Sequence, residues 1–273
     1  MITLLSCIIL AISFSVIITY FLIPIGFNLH YFVPIILLIP GFILGFIVIL
    51  GILFLISLFY SKKKEYQKPS SFAEFVLSDL CRFVTVFGGV KLTIKGRENI
   101  PNEKYLLICN HRSNFDPIIY LGFIGKKDFA FISKDSNGQI PMVGRYMRGA
   151  HFYNIDREDK LQSLNVIKSA GGNIKDNICS VGVYPEGTRS KKKEMGPFHE
   201  GVFQIAKIAK CPVVICSISG SEMIHKNFPF KRSNVVLKIL EVMEPVDYLD
   251  ETSKDISDYA YKLIHDSLDD LSK

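Results

Sequence analysis

Charged residues are missing from the first 60 positions of this 273-residue chain, which contain no Asp, Glu, Lys or Arg. The formal net charge of +6 therefore lies entirely on residues 61–273. A soluble core rarely extends this far without a charge. Two apolar runs, 2–22 and 34–59, are each long enough to cross a hydrocarbon core of about 30 Å as a helix. We therefore expect residues 1–64 to form a transmembrane helical hairpin.

A secretory leader is not indicated, because the N-terminus has neither a basic start nor a small-residue cleavage site. Lys62, Lys63 and Lys64 directly follow the second apolar run. By the positive-inside bias these lysines stay in the cytoplasm. We therefore expect an integral membrane protein whose remaining residues lie on the cytoplasmic face.

Several site signatures are absent as well. The six cysteines form no C-x-x-C pair and no Cys/His ligand spacing, so we expect free thiols and no metal site. Cys109 is interpreted as a core residue. A G-x-S-x-G elbow, which a covalent serine mechanism would favour, is also absent. The modest positive charge and the lack of a binding motif argue against a nucleic-acid partner.

The segment 65–89 is expected to be a linker followed by an amphipathic helix, since apolar residues recur at helical spacing from Phe72 to Phe87. Gly88 and Gly89 should end this helix. Its apolar stripe can lie on the bilayer surface or pack on the following domain, and the sequence leaves both alternatives open.

Residues 90–273 alternate short apolar strands with helical segments, which predicts one α/β domain around a mixed, mostly buried sheet. The predicted strands are 90–95, 105–109, 129–132, 152–156, 178–183, 213–218 and 234–242. The predicted helices are about 117–124, 141–148, 159–170, 200–210 and 254–271.

Three His-x4-Asp pairs occur: His111/Asp116, His151/Asp156 and His265/Asp270. The second pair flanks a predicted strand, where an odd offset puts the two side chains on opposite faces. The third lies in a predicted helix, where five positions correspond to about 140° around the axis. Only the first pair spans a strand-to-helix turn that can bring the imidazole beside the carboxylate.

The sequence "NHRSNFDP" places this first pair where open α/β sheets bind ligands, at the carboxyl end of a strand. Asp116 followed by Pro117 also predicts a helix start with Asp116 as the N-cap. A purely structural role, as a turn histidine and a capping aspartate, is the alternative to a catalytic one.

A second polar cluster, "GVYPEGTRSKKK" at 182–193, follows another predicted strand. Gly187 lets backbone amides approach a ligand closely, and Thr188 and Arg189 supply hydrogen-bond donors. Arginine binds phosphate through two parallel hydrogen bonds, and three lysines follow. The alternative is a solvated basic loop.

These residues resemble the glycerolipid acyltransferases related to 1-acyl-sn-glycerol-3-phosphate acyltransferase. "NHRSNFD" (110–116) and "YPEGTRS" (184–190) are similar to that family's first and third motifs. "ISKDSNGQIPMVGRYMRGAHFYNIDRED" (132–159) resembles its second motif, and "CPVVICSISGS" (211–221) its fourth. The resemblance covers roughly residues 90–245. Phe198-His199-Glu200-Gly201 departs from the family's usual basic pair, as does Asp135-Ser136-Asn137 from its usual Glu-Leu.

The resemblance implies transfer of a fatty acyl group from a thioester to the sn-2 hydroxyl of lysophosphatidic acid, giving phosphatidic acid. His111 would be the general base and Asp116 would hold its tautomer. Ser113 is the rival nucleophile. The phosphate-binding candidates are Arg189, Lys134, Gly187, Thr188 and Arg157, with Glu186 orienting Arg189 or the turn.

No cofactor is implied beyond acyl-CoA or acyl carrier protein as co-substrate. The implied partners are lysophosphatidic acid, the acyl donor and the lipid bilayer. Alternatives are acylation of glycerol 3-phosphate or of another lysophospholipid, a hydrolase that uses the same pair, and a non-catalytic membrane-anchored lipid-binding protein.

Overall fold

The computed structural model describes residues 1–22, 33–61, 66–125, 127–189 and 195–269. The chain divides into two compact units, Met1–Ser61 and Lys62–Lys273. The predicted connection between the two apolar helices and the predicted cytoplasmic lysines Lys62 to Lys64 lie outside the described residues.

The first unit is a hairpin of two apolar helices, α1 (Ile2–Leu22) and α2 (Val33–Ser57). The Ser15 hydroxyl donates a hydrogen bond to the Pro34 carbonyl at 2.6 Å. A Cβ at Gly41 would lie 3.0 Å from the Ala11 backbone, so small residues let the two helices approach closely. Both helices are long and apolar enough to cross a membrane. The two predicted apolar helices are confirmed, with α2 ending two residues before the predicted end.

The second unit is built on a seven-stranded sheet in the order β1-β7-β6-β2-β5-β3-β4. Strands β6 and β7 pair antiparallel and the other neighbours pair parallel, which confirms the mixed sheet. The strands are β1 (Val90–Lys95), β2 (Leu106–Cys109), β3 (Phe129–Lys134), β4 (Tyr153–Ile155), β5 (Ser180–Val183), β6 (Val213–Ser219) and β7 (Ser233–Met243).

Helices cover both faces of this sheet. They are α3 (Ser71–Phe87), α4 (Phe115–Phe123), α5 (Asp135–Gly138), α6 (Val143–Gly149), α7 (Lys160–Lys175), α8 (Gln204–Ala209), α9 (Ile224–Asn227), α10 (Pro245–Tyr248) and α11 (Ser253–Asp269). Short 3-10 turns occupy Arg97–Asn99, Glu200–Phe203 and Ser221–Met223. The predicted helix 200–210 is therefore a 3-10 turn continued by α8.

The central strand β2 shows how the core is divided. Leu106 and Ile108 point into the cluster packed under α7, α8 and α11, while Leu107 and Cys109 point into the cluster that contains α4. All four side chains are buried, because alternate residues of a strand face opposite sides and both sides are covered. Cys109 is a core residue, as the sequence indicated.

Strand order determines where the polar loops meet. Since β2 lies between β5 and β6 and runs parallel to both, the carboxyl ends of these three strands share one edge of the sheet. We call this end of the sheet, which is not one of its outer strands, the site edge. It collects the loops that begin after Cys109, Val183 and Ser219.

Candidate active site

A buried asparagine joins two of these loops. Asn110 directly follows β2, and its amide nitrogen donates to the Ile218 carbonyl at 2.9 Å while its amide oxygen accepts from the Ile218 N–H at 2.8 Å. The side chain thus continues the ladder between β2 and β6 by one step. This double hydrogen bond fixes the point from which the His111 turn begins.

The first His–Asp pair is in contact. His111 Nδ1 lies 2.9 Å from Asp116 Oδ2. The same carboxylate oxygen accepts the backbone N–H groups of Arg112 at 2.6 Å and Ser113 at 2.8 Å. Because Nδ1 faces the carboxylate, the neutral ring carries its proton there and Nε2 is the basic nitrogen. An imidazole held in this way by a carboxylate can act as a general base.

Asp116 is not the N-cap that the sequence predicted. Helix α4 begins at Phe115, with Asn114 in the cap position. Asp116 lies in the first turn, where its carboxylate turns back toward the residues before the helix. The prediction failed because the residues of the His111 turn supply the hydrogen bonds that a cap would otherwise receive from the helix.

A serine from the fourth motif completes the environment of Asp116. The Ser221 hydroxyl donates to Asp116 Oδ1 at 2.5 Å, and both side chains are almost fully buried. Both carboxylate oxygens therefore have partners. The carboxylate is held by donors on either side, which fixes the orientation of the imidazole it contacts.

The two other His–Asp pairs have different partners. His151 Nε2 lies 2.9 Å from the Asn173 amide nitrogen, and burial lowers the pKa of His151. Asp156 Oδ1 accepts from the Glu158 N–H at 3.1 Å. His265 Nδ1 lies 3.5 Å from Asp269 Oδ2 in α11, with the His265 side chain 43% exposed, and Asp270 lies outside the described residues.

Glu186 of the third motif supports the His111 turn. It is 4% exposed, and its Oε1 accepts the His111 N–H at 2.6 Å while its Oε2 accepts the Gly196 N–H at 2.9 Å. Of the two alternatives for Glu186, these contacts favour the one in which it orients a turn. One carboxylate thus joins the His111 loop to the loop after β5.

An aromatic ring lies against the imidazole. Tyr184 stacks on His111 with ring centroids 4.4 Å apart, and Tyr184 also stacks with Phe131 at 5.3 Å. Burial, together with the nearby Cys109 and Asp116, raises the pKa of Tyr184 well above its usual value. The phenol therefore stays neutral at physiological pH, and its ring restricts the plane of the imidazole.

Some of the predicted phosphate-binding residues meet at a glycine. Gly187 has a φ of 66°, and a Cβ there would lie 2.9 Å from the His199 ring and 4.0 Å from Arg157 Nε. This turn therefore brings Arg157 beside the third motif. Thr188 and Arg189 follow as exposed side chains, and the lysines at 191–193 lie outside the described residues.

Lys134 lies at the site edge but on a neighbouring strand. It is the last residue of β3, it is exposed, and its register partner is Ile155 at the end of β4. Arg157 is two residues beyond that partner. Partial burial lowers the pKa of Arg157 from its high usual value. Arg157 thus approaches the Gly187 turn, and Lys134 ends a strand two positions from Arg157 in the register of β3 and β4.

Three site residues were missed from sequence: Asn110, Tyr184 and Ser221. All three lie in the four motifs, but their contacts are with residues far away in the chain. Asn110 pairs with a residue 108 positions away and Ser221 with one 105 positions away. Only the order of strands β5, β2 and β6 puts these partners side by side.

The rival chemistries have little local support. The Ser113 side chain is buried, and its hydroxyl oxygen accepts the Phe115 N–H at 3.3 Å. Burial raises the pKa of the Cys109 thiol well above its usual value. Within the described ranges, no group of three or more His, Cys, Asp or Glu side chains could hold a metal ion.

Comparisons with known proteins agree with the motifs. The family model described as Acyltransferase matches residues 91–219. The chain is 29% identical over 189 residues to the 1-acyl-sn-glycerol-3-phosphate acyltransferase of Saccharomyces cerevisiae, covering 68% of this chain and 61% of that protein. It is 30% identical over 178 residues to the probable 1-acyl-sn-glycerol-3-phosphate acyltransferase of Mycoplasma pneumoniae, covering 62% and 66%. The match thus spans less than two thirds of either relative.

The fold is also similar to a solved one. The crystal structure of the 1-acyl-sn-glycerophosphate acyltransferase PlsC from Thermotoga maritima superposes with a TM-score of 0.61 at 24% identity. The similarity covers 73% of this chain and 79% of that one. The predicted resemblance to glycerolipid acyltransferases and the predicted α/β fold are therefore confirmed.

Proposed function

We infer that this chain, whose residues 91–219 match the family model described as Acyltransferase, transfers a fatty acyl group from a thioester to the sn-2 hydroxyl of lysophosphatidic acid. The product is phosphatidic acid. The observation that carries this proposal is the contact of His111 Nδ1 with Asp116 at the end of the central strand. The motifs around it and the names of the two relatives support the choice of substrate.

The pair supplies the proton transfer that the reaction needs. His111 Nε2 takes the proton of the acceptor hydroxyl while the hydroxyl oxygen attacks the thioester carbonyl carbon. The C–S bond then breaks, and the protonated imidazole returns the proton to the leaving thiolate. Asp116 holds the Nδ1–H and stabilises the imidazolium that forms in between. The acyl group passes directly to the acceptor, so Ser113 takes no covalent part.

The acceptor phosphate is assigned to the Gly187 turn. Arg189 and Arg157 offer planar guanidinium groups that can each form two parallel hydrogen bonds to a phosphate. Thr188 and Lys134 supply further donors at the same edge. The missing side chain of Gly187 makes room for the His199 ring, which lies against this turn. Removing the phosphate from the acceptor should therefore weaken binding.

The lipid substrate accounts for the N-terminal hairpin. A two-chain product stays in the bilayer, so the site must work at the membrane surface. The two apolar helices would anchor the chain there, with the α/β domain on the cytoplasmic face. The acyl donor would be acyl-CoA or acyl carrier protein, both of which reach the site from the cytoplasm.

A substrate panel tests the proposal. The full chain, purified in detergent, is given labelled acyl-CoA or labelled acyl carrier protein. Each donor is offered lysophosphatidic acid, glycerol 3-phosphate or lysophosphatidylcholine. We expect labelled phosphatidic acid from lysophosphatidic acid with at least one donor.

The other outcomes separate the alternatives. If the label appears in another acceptor, the chain is still an acyltransferase but its substrate is that acceptor and not lysophosphatidic acid. Free fatty acid released without any acceptor would indicate a hydrolase. A folded protein that acylates none of the acceptors from either donor would indicate the lipid-binding alternative.

A further inference from the structure

Three phenylalanine side chains form an exposed aromatic surface on the α/β unit. Phe87 ends α3, and Phe228 and Phe230 follow α9. Phe87 and Phe228 are in contact, with ring centroids 5.7 Å apart. The exposed fractions are 62% for Phe87, 44% for Phe228 and 94% for Phe230. We call these three residues the aromatic surface.

The backbone beneath the aromatic surface is fixed. The Ser233 N–H donates to the Gly89 carbonyl at 3.1 Å, and a Cβ at Gly88 would lie 3.6 Å from the Ile224 side chain. The Phe228 N–H donates to the Ile224 carbonyl at 3.0 Å, and the Lys231 N–H to the Asn227 carbonyl at 2.8 Å. The aromatic rings are thus presented by a hydrogen-bonded turn.

The charge of the segment that carries Phe228 and Phe230 has one sign. The sequence from 223 to 240 contains no Asp or Glu. The exposed basic side chains in it are His225, Lys226, Lys231 and Arg232. Aromatic rings beside cationic side chains are typical of surfaces that sit in the interfacial layer of a membrane, where rings enter the headgroup region and cations meet anionic lipids.

The aromatic surface lies at the same edge of the sheet as the candidate active site. The segment that carries Phe228 and Phe230 begins directly after Ser221, which contacts Asp116. It ends at Ser233, the first residue of β7, and β7 runs antiparallel to β6. The start of β7 is therefore at the site edge, and its last residue, Met243, is at the opposite edge.

We propose that the aromatic surface inserts into the lipid bilayer and holds the site edge against the headgroup layer. This contact would be separate from the anchoring by α1 and α2. Phe230 would enter the acyl–headgroup boundary, and Lys226, Lys231 and Arg232 would bind anionic headgroups. The inference rests on the proposed function, since a lipid substrate would then reach His111 without leaving the interface.

The chain contains no tryptophan, so one introduced tryptophan is a unique fluorescent reporter. The full-length variant Phe230→Trp is reconstituted into vesicles of phosphatidylcholine and phosphatidylglycerol, with or without bromine on the phosphatidylcholine acyl chains. Val246→Trp is the matched control, because Val246 is 85% exposed and follows β7 at the opposite edge. Both variants retain the same apolar helices, so the tethering is equal.

We expect brominated lipid to quench most of the emission of the tryptophan in Phe230→Trp. In vesicles without bromine, this tryptophan should emit at a shorter wavelength than free tryptophan in buffer. The tryptophan of Val246→Trp should keep its emission. Adding Lys231→Ser and Arg232→Ser to Phe230→Trp should reduce the quenching at low salt, because surface cations attract anionic lipid.

Equal emission from Phe230→Trp with and without bromine would overturn the proposal. This outcome would also be seen if a second protein copy, and not lipid, covered the ring. The readout does not depend on catalysis. Quenching of Phe230→Trp without any acylation would leave the membrane contact standing and refute the proposed function. Acylation without quenching would support the proposed function and refute the membrane contact.

Discussion

Ser221 and Asp116 are 105 positions apart in the chain, yet the Ser221 hydroxyl lies 2.5 Å from Asp116 Oδ1. The contact joins the loop after β6 to the loop after β2. It complements the three hydrogen bonds that reach Oδ2 from His111 Nδ1 and from two backbone N–H groups. Asp116 is therefore held on both sides before any substrate arrives.

Replacing Ser221 by alanine should lower kcat and leave the KM of both substrates nearly unchanged. The variant leaves a buried carboxylate oxygen without its hydroxyl donor, which costs about 1–3 kcal/mol of unfolding free energy. Each 1.4 kcal/mol that a misplaced imidazole adds to the activation free energy lowers kcat about tenfold. Steady-state kinetics and thermal unfolding measure the two effects, and Ser221→Thr should restore much of kcat.

Ser217→Ala is the matched control for Ser221→Ala. Ser217 lies in β6 and is buried like Ser221. Its hydroxyl contacts the Ser267 hydroxyl at 2.9 Å, away from the site. It should lose stability and keep its kcat. If both variants lose kcat equally, Ser221 acts only through stability.

Replacing Glu186 by glutamine should disturb the His111 turn. Each Glu186 oxygen accepts a backbone N–H, and glutamine offers one amide nitrogen where an acceptor is needed. Two donors facing each other in a buried site cost about 1–3 kcal/mol. We expect lower thermal stability and lower kcat. The exposed neighbour Glu200→Gln should behave as the wild type, and a fully active Glu186→Gln would contradict the role in the turn.

Replacing Arg189 or Arg157 by alanine should raise the KM for lysophosphatidic acid and leave the KM for the acyl donor unchanged. Losing a charge-assisted contact worth about 1.5–3 kcal/mol corresponds to roughly 10- to 150-fold weaker binding. With a phosphate-free monoacylglycerol as acceptor, the variants and the wild type should be equally poor.

Arg97→Ala is the control for the arginine variants. Arg97 is exposed and follows β1 at the edge of the sheet opposite the site. Its replacement should leave both KM values unchanged. A selective rise in the donor KM after Arg189→Ala or Arg157→Ala would move these residues to the donor site.

The buried thiols of the α/β unit should be inert in the folded protein. Burial raises the pKa of Cys81 and of Cys211 from 9.0 to about 12, and it also raises that of Cys109 beside the site. A rise of about three pKa units lowers the thiolate fraction about a thousandfold at neutral pH, and the thiolate is the reactive form. N-ethylmaleimide should therefore leave the native activity intact and label these cysteines quickly in denaturant. Rapid inactivation of native protein would contradict this burial.

Local patterns predicted the elements of this structure more successfully than their contacts. The absence of charge predicted the two apolar helices, and alternating apolar runs predicted all seven strands to within about two residues at each end. The predicted contact between His111 and Asp116 is present, and it was predicted because a strand-to-helix turn can bring the two side chains together. These features depend on neighbours in sequence.

The contacts that hold the site could not be predicted in the same way. Ser221 and Asn110 depend on β6 lying beside β2, which the sequence of either strand does not specify. The capping role predicted for Asp116 failed for a related reason, since the turn before α4 competes for the carboxylate. Catalytic and phosphate-binding roles for the site residues remain predictions that only kinetics can test.

The most direct test of the mechanism compares His111→Ala with His265→Ala under identical conditions. Both histidines begin a His-x4-Asp pair, but only His111 lies in the site. General-base catalysis contributes typically about 10²–10⁴-fold, so His111→Ala should lose labelled phosphatidic acid by that factor while remaining folded. His265→Ala should keep its normal rate. Near-normal phosphatidic acid formation by His111→Ala would contradict the mechanism.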